Sequence, residues 1–420
     1  MKTSLASLMI VGLLAATGAG AQDILIRGAT VHTVTSKGTL ANADVLVRNG
    51  KIQAVGSGLS AGDGAVTIDA KGRALTPGLF AGLSAIGVTE VNAESTTDDA
   101  ALGMAAPAYE MQWRPEFDVT TAYNARSVVV PVTRIEGLTW TVLAPGIGTG
   151  SNFLAGQGAG VTLDGRQEAV LDGSRSLFIN LGGQMNSHSG GSRAAQWMLL
   201  EQAVHETRTR AGDNQALLHP LGREVFARYL NGGRIVFKVD RAADILKTLA
   251  FAKRYNIKAV IAGGAEAWVV ADELASAKVP VLLDALANLP ANFDSIGARL
   301  DNAALLNKAG VQIAFTQFGE SHNARKVRQL AGNAAAHGLP QDAALAAMTS
   351  APAEIFGLGT ARGHIAAGQV ADVVLWSGDP LDVTGVADQV WIGGRAIEMR
   401  SRQLELRDRY LERLKQAPSP

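Results

Sequence analysis

Thr76-Pro77-Gly78-Leu79-Phe80-Ala81-Gly82-Leu83-Ser84-Ala85-Ile86-Gly87 is the stretch from which the rest of the chain is read. A short strand from Arg73 to Thr76 runs into Pro-Gly, then an apolar run, then small residues that open a loop. Proline fixes φ and removes an amide donor, and glycine releases φ, so the pair punctuates the strand. An apolar strand feeding a loop is the repeating unit of a parallel α/β architecture, whose chemistry sits at strand C-termini.

Upstream, the text from Ile24 is β-rich with period two: Ile24 and Ile26, then Val31 and Val34. Val45–Val55 reads as a hairpin, because Asn49-Gly50 between alternating strands favours a type I′ turn with φ > 0 at both central residues. Val66–Asp69 and Ala74–Thr76 add strands. Such a block cannot bury both faces alone and needs a partner. The partner sits near the other end, where Gly363–Trp376 is two turns and an apolar strand and Gln389–Ile397 a second hairpin around Gly393-Gly394.

Between these ends, strand-like and helix-like runs alternate, as a (β/α)8 barrel requires. Strands are expected at Ala74–Phe80, Trp140–Ala144, Ser176–Leu181, Arg234–Val239, Ala259–Ala262, Val279–Asp284 and Val311–Thr316, one short of eight. Helices are expected at Arg193–Arg208, Ala242–Tyr255, Ala267–Ser276, Ala303–Lys308, Ala324–His337 and Gln341–Thr349. Residues 91–135 show no clear period and suit an insertion over the barrel mouth. From Glu398 to Lys415 the tail reads as an exposed amphipathic helix.

The chain opens with Met1-Lys2, an apolar core from Leu5 to Ala16, and Ala19-Gly20-Ala21 before Gln22. One positive charge, a short apolar run and an A-x-A site describe a secretory signal peptide over 1–21, cleaved between Ala21 and Gln22. The expectation is a periplasmic or secreted protein with no membrane span, since no later run approaches the ~20 apolar residues that spanning takes. Positive and negative residues balance at 38 each, which leaves no charge footprint for nucleic acid. Zero cysteines exclude disulfides, thiolate nucleophiles and Cys-ligated zinc together. At 47% apolar residues, 420 residues exceed one compact core, so a barrel with a smaller domain fits.

These runs resemble the amidohydrolase superfamily, close to its imidazolonepropionase-like branch. There the first barrel strand reads Pro-Gly-Leu-Ile-Asp-Ala-His-Thr-His-Leu-Gly. Glu136–Val142 is similar to the family's second strand, and Gly156–Ala159 to a loop of one sub-branch. Ala343–Leu358 is similar to "E-A-L-x-x-x-T-x-N-P-A-x-x-L-G-L", and Gly363–Val374 to "G-x-I-x-x-G-x-x-A-D-[LV]-V". The resemblance spans 24–397. It implies an α/β fold: a (β/α)8 TIM-type barrel over 77–360 and a small composite β-sandwich of 22–76 with 361–397; the C-terminal amphipathic helix in 398–420 is read from its own residues.

Family members hydrolyse amide, lactam or related bonds with one or two divalent metals, zinc or another, which activate water and polarise the carbonyl. Their ligands are the strand-one His-x-His, often a carboxylated lysine, histidines ending strands five and six, and an aspartate ending strand eight. Aligned on this chain, those positions hold Leu83, Ala85, Lys238, Gly263 and Gln317. No lysine occurs between Lys71 and Lys238, so the bridging lysine is missing too. Of seven histidines, only His188 and His322 stand where they could reach a barrel mouth. Zinc needs at least three protein ligands and an open position, so no resident metal or other cofactor is expected.

Two readings follow. The first is an exported amidohydrolase-like protein with a degenerate metal site: a non-catalytic small-molecule-binding protein, or a partner for an active amidohydrolase paralogue or for a second copy of itself. The second is a hydrolase of non-peptide carbon–nitrogen bonds, in cyclic amides or dipeptides, working without metal. Its candidates are Lys238 with a lowered pKa, Glu266 or Asp240 as base, and Gln317 or His322 as donor. The bland alternatives are that Lys238 pairs with an acid and that Asp240 belongs to a helix start.

Overall fold

The computed structural model describes residues 22–62, 64–102, 113–146, 153–209 and 216–416. The leader expected over 1–21 lies outside the described residues, as do residues 103–112 of the stretch between 91 and 135.

The strands in chain order are β1 (Ile24–His32), β2 (Thr39–Arg48), β3 (Lys51–Gly56), β4 (Val66–Asp69), β5 (Ala74–Pro77), β6 (Leu79–Ser84), β7 (Leu138–Leu143), β8 (Leu154–Gly158) and β9 (Gly160–Thr162). They continue with β10 (Ser176–Asn180), β11 (Arg234–Val239), β12 (Lys258–Gly263), β13 (Val281–Leu283), β14 (Ile313–Phe315), β15 (Val373–Trp376), β16 (Ala387–Ile392) and β17 (Arg395–Ala396).

The first sheet runs β17-β16-β15-β5-β1-β2-β3, with β4 also on β1. β4 and β5 lie end to end along β1, pairing Ile24 with Val66 and then Thr30 with Ala74. At the β2–β3 turn Asn49 and Gly50 both have positive φ, 50° and 76°, the geometry expected of that dipeptide. The far edge returns to the late chain: Ile52 N donates to Gln369 O and Ala371 N to Gly50 O. The sheet thus coils round Ile26, Val31, Val45, Leu75, Val373 and Trp391. In the sequence Ala74–Phe80 reads as one strand; in the structure Gly78 divides it between two sheets. A Cβ on Gly78 would lie 2.3 Å from Thr139 Oγ1, so β7 passes too close for any side chain.

The remaining strands form two sheets, β14-β13-β12-β11-β10-β8 and β6-β7-β9. β10 to β14 are parallel, and so are β6 and β7. Residues 154–162 link the two sheets: β8 is antiparallel to β10, β9 is antiparallel to β7, and only Ala159 separates β8 from β9. This segment supplies a strand that the sequence did not reveal, and Gly156–Ala159, read as a loop, lies in it. It is antiparallel and glycine-rich, so it lacks both the apolar run and the following helix that mark its neighbours. Glycine is required there, because a Cβ on Gly158 would lie 1.9 Å from Leu143 O.

Among the described residues no backbone ladder joins β14 to β6. They meet where Leu83 N donates to Thr316 Oγ1 at 2.9 Å, and Phe80 N and Phe315 N donate to Met348 O and Ala347 O. One buried cluster nevertheless draws Phe80, Trp140, Ala155, Phe178, Val236, Val260, Leu282 and Ala314 from strands of both sheets. Alternate residues such as Ile235, Phe237, Ile261 and Val281 pack outward in a second cluster that includes helix residues. Helices Arg193–Arg208 and Ala242–Arg254 form where the period predicts them. Pro220–Tyr229, with proline in its first turn, is a helix that the sequence did not reveal. The fold is mixed α/β. No helix among the described residues is long and apolar enough to cross a membrane, and Arg402–Gln416 buries no residue.

Candidate functional site

On β11, strand alternation turns Val236 inward while Ile235, Phe237 and Val239 face the helices. Lys238 shares the inner face with Val236. Backbone register sets it in a row with Asn180, Ala262, Leu282 and Ala314, and it is the charged member of that row. Two residues beyond, Asp240 Oδ1 accepts from Ala265 N at 3.3 Å. Gly263 ends β12 at φ +101°, and a Cβ there would lie 2.5 Å from Asp240 Oδ1. The glycine therefore supplies both an unusual φ and the room for the carboxylate. Asp284 follows β13 and accepts from Leu286 N at 3.0 Å. Phe318 follows β14, with its ring centroid 5.4 Å from Lys238 Nζ.

These side chains line a cavity of ≈ 220 Å³, with Leu283, Leu289 and Leu300 as apolar wall and Gln184, Asn292, Ser295 and Asn302 as polar wall. Burial draws the Lys238 ammonium below the usual lysine range, against the attraction of Asp240. Burial pushes the Asp240 carboxyl up, against its bond from Ala265 and the charge of Lys238, while Asp294 and Glu266 add to the rise. Asp284 is also raised by burial, against bonds from Leu286 and Ala287 and the charge of Lys326. All three shifts disfavour charge, which marks a site largely withdrawn from water.

The loop between β13 and helix Asn302–Lys308 forms the rim. Asp294 fastens it by accepting from Gly183 N at 2.6 Å and pairing with Arg193, which also reaches Asp244 at 2.9 Å. Glu266 fastens it again, accepting from Gly297 N at 3.3 Å and Ala242 N at 3.0 Å. The rim exposes Leu289 (74%), Phe293 (88%) and Ile296 (60%).

Of the residues singled out from sequence, Lys238, Asp240 and Gly263 come together in the cavity, and Gln317 precedes Phe318 of its wall. Gln317 Oε1 is buried without a hydrogen-bond partner. Leu83 packs in the inner apolar cluster, whereas Ala85 packs with Val88, Val119 and Tyr123. Glu266 holds backbone amides with both oxygens. His322 pairs at 3.2 Å with Glu320, both half-exposed, and His188 ends a short 3-10 turn, Gly183–His188. Sequence reasoning missed Phe318, Asn302 and the Asp294 anchor. The one available signal was the turn-rich run Asn292–Ser295.

The donor set does not fit the zinc of the resembled family. Leu83, Ala85 and Gly263 offer no side-chain donor, so fewer than the three ligands zinc needs remain at these positions. Among the described residues no three His, Asp or Glu side chains converge as a metal site.

Residues 322–397 match the Amidohydrolase family. Over 74 residues the chain is 47% identical to Amidohydrolase tasK of Hapsidospora irregularis, covering 18% of this chain and 8% of that much longer protein. An amidohydrolase of Thermotoga maritima MSB8 superposes with a TM-score of 0.77 at 24% identity, over 90% of this chain and 100% of that one. A prolidase solved with N-methylphosphonate-L-proline gives 0.53 at 14% identity, over 90% and 100%. At such identities the structures speak for the fold. The family match itself contains none of the cavity residues. The C-terminal segment is thus similar to the Amidohydrolase family, and the fold around it is one that amidohydrolases of known structure share.

Proposed function

We propose that this protein binds a small molecule in the Lys238–Asp240–Asp284 cavity and does not carry out the metal-dependent hydrolysis typical of its superfamily. The supporting observation is the donor set: the positions aligned with family ligands hold Leu83, Ala85, Lys238, Gly263 and Gln317, and three of them have no side-chain donor. A closed (β/α)8 barrel is part of the proposal. It is supported by the inner cluster shared among the strands and by the Leu83–Thr316 contact across the open edge. Residues 22–76 with 361–397 act as a composite β-sandwich domain, and Arg402–Gln416 as an appended helix. The leader 1–21 directs export to the periplasm or beyond, with cleavage before Gln22. The apolar rim of Leu289, Phe293 and Ile296 supports a partner chain, an active paralogue or a second copy.

The test is calorimetric binding against a panel of cyclic amides and dipeptides, with metal content and product formation measured on the same preparation. Saturable binding without turnover, lost on filling the cavity by Gly263→Leu, is expected. Hydrolysis that survives chelation moves the reading to a metal-free hydrolase. The opposed shifts of Lys238 and Asp240 favour that second reading.

A further inference from the structure

We infer that Lys238 captures small neutral hydroxyaldehydes or hydroxyketones as a Schiff base on its ε-nitrogen, with Asp240 moving the protons. This rests on reading the cavity as a binding site and adds a covalent chemistry to it.

A lysine in water is protonated and a poor nucleophile, whereas one withdrawn into an apolar pocket becomes a competent amine. Lys238 stands on the inner face of β11, flanked in register by Ala262 and faced by the Phe318 ring at 5.4 Å. It opens on the same cavity as Asp240. One Asp240 oxygen is fixed by Ala265 N and packed over Gly263, so the carboxyl is positioned rather than mobile. Burial shifts both groups toward their uncharged forms, the direction that imine formation uses.

The wall selects the carbonyl. Leu283, Leu289 and Leu300 suit a short carbon chain. Asn302 is only 6% exposed and lines the cavity, and its Oδ1 has no hydrogen-bond partner. With Asp284, Gln184 and Ser295 it offers acceptors for hydroxyl groups. A cavity withdrawn from water disfavours an anionic keto acid, whose charge would have to be buried.

In the reaction the Lys238 nitrogen pair bonds to the carbonyl carbon, and the C=O π pair moves to oxygen, which takes the Asp240 proton. The nitrogen of the adduct returns a proton to Asp240. Asp240 then protonates the hydroxyl, which leaves as water while the nitrogen pair closes a C=N bond. The net change is one carbonyl, one amine and one carboxylic acid giving one iminium, one carboxylate and one water. Nothing is oxidised or reduced.

The experiment incubates the full chain with dihydroxyacetone, adds a short pulse of sodium borohydride, and locates the reduced adduct by peptide mass mapping. Labelling of Lys238 should exceed that of exposed Lys258 and Lys278 by about tenfold or more. Lys238→Arg, checked for folding by circular dichroism, should lose the adduct. Asp240→Asn should slow trapping by about 10²-fold or more. If dihydroxyacetone raises the melting temperature but Lys238 labels no faster than Lys258, the covalent inference falls and the binding reading stands. If neither effect appears, the covalent inference falls, and the binding reading is decided separately by the panel of cyclic amides and dipeptides. The labelling ratio is read on the unaltered protein, so a misfolded variant cannot rescue the idea.

Discussion

Asp284 illustrates what a dry strand end does to a single carboxyl. Burial raises its pKa above the unfolded value near 3.9, so the folded state holds the proton more tightly. Its stabilising contribution is complete below the unfolded pKa and is lost as pH rises through the folded pKa. At neutral pH the charge is a burden. Asp284→Asn keeps an oxygen for Leu286 N and removes that charge, so it should stabilise the protein by about 1 kcal/mol at pH 7.5. The gain should shrink toward pH 4. Thermal melts at both values check this, and a gain of equal size at both would contradict it. Part of the site was legible beforehand because alignment to a family pattern lands on single residues, as with Lys238, Gly263 and Gln317. Phe318 and Asn302 were not, because Phe318 reaches the cavity through the parallel register that joins β11 to β14, and Asn302 from a helix start where its Nδ2 donates to Gly264 O at 2.9 Å. Nothing local in their text marks them.

Among the elements, the bent segment Leu154–Thr162 was hardest to read and is among the least tolerant of change. Gly158→Ala would drive a methyl group into Leu143 O, so we expect a loss of at least about 1–3 kcal/mol, the usual penalty of overpacking. A urea titration that finds wild-type stability would refute the close approach. The hairpins at both chain ends were legible because Asn49-Gly50 and Gly393-Gly394 announce their turns within two residues. A strand that runs against its neighbours and is followed by no helix announces nothing. The aspartate of the family's late motif has a plain role: Asp372 pairs with Arg362, the two side chains only 4% and 9% exposed, and accepts from Gly393 N at 2.8 Å. Asp372→Ala leaves a buried guanidinium unpaired and should cost about 3–5 kcal/mol, read from the same titration. A loss below 1 kcal/mol would mean the pair is solvated.

At the scale of the whole molecule, the donor set predicts indifference to metal. Protein purified without added metal should carry well under one zinc per chain by elemental analysis, and chelator should leave its melting temperature unchanged. A dication held at a thousandfold excess over its Kd would add about 4 kcal/mol, so a fall of many degrees on chelation would expose a site missed here. The terminal sheet has a consequence of another kind, in time rather than in space. Leu75 pairs with Leu375, a separation of 300 residues (375 − 75). At synthesis rates of about 5–20 residues per second, β5 waits roughly 15–60 s for its neighbour. Throughout that interval the nascent chain presents a bare strand edge, which invites pairing with any other extended chain. A ribosome paused before Val373 should therefore yield a chain that is captured by chaperones or aggregates, and release of the pause should cure it.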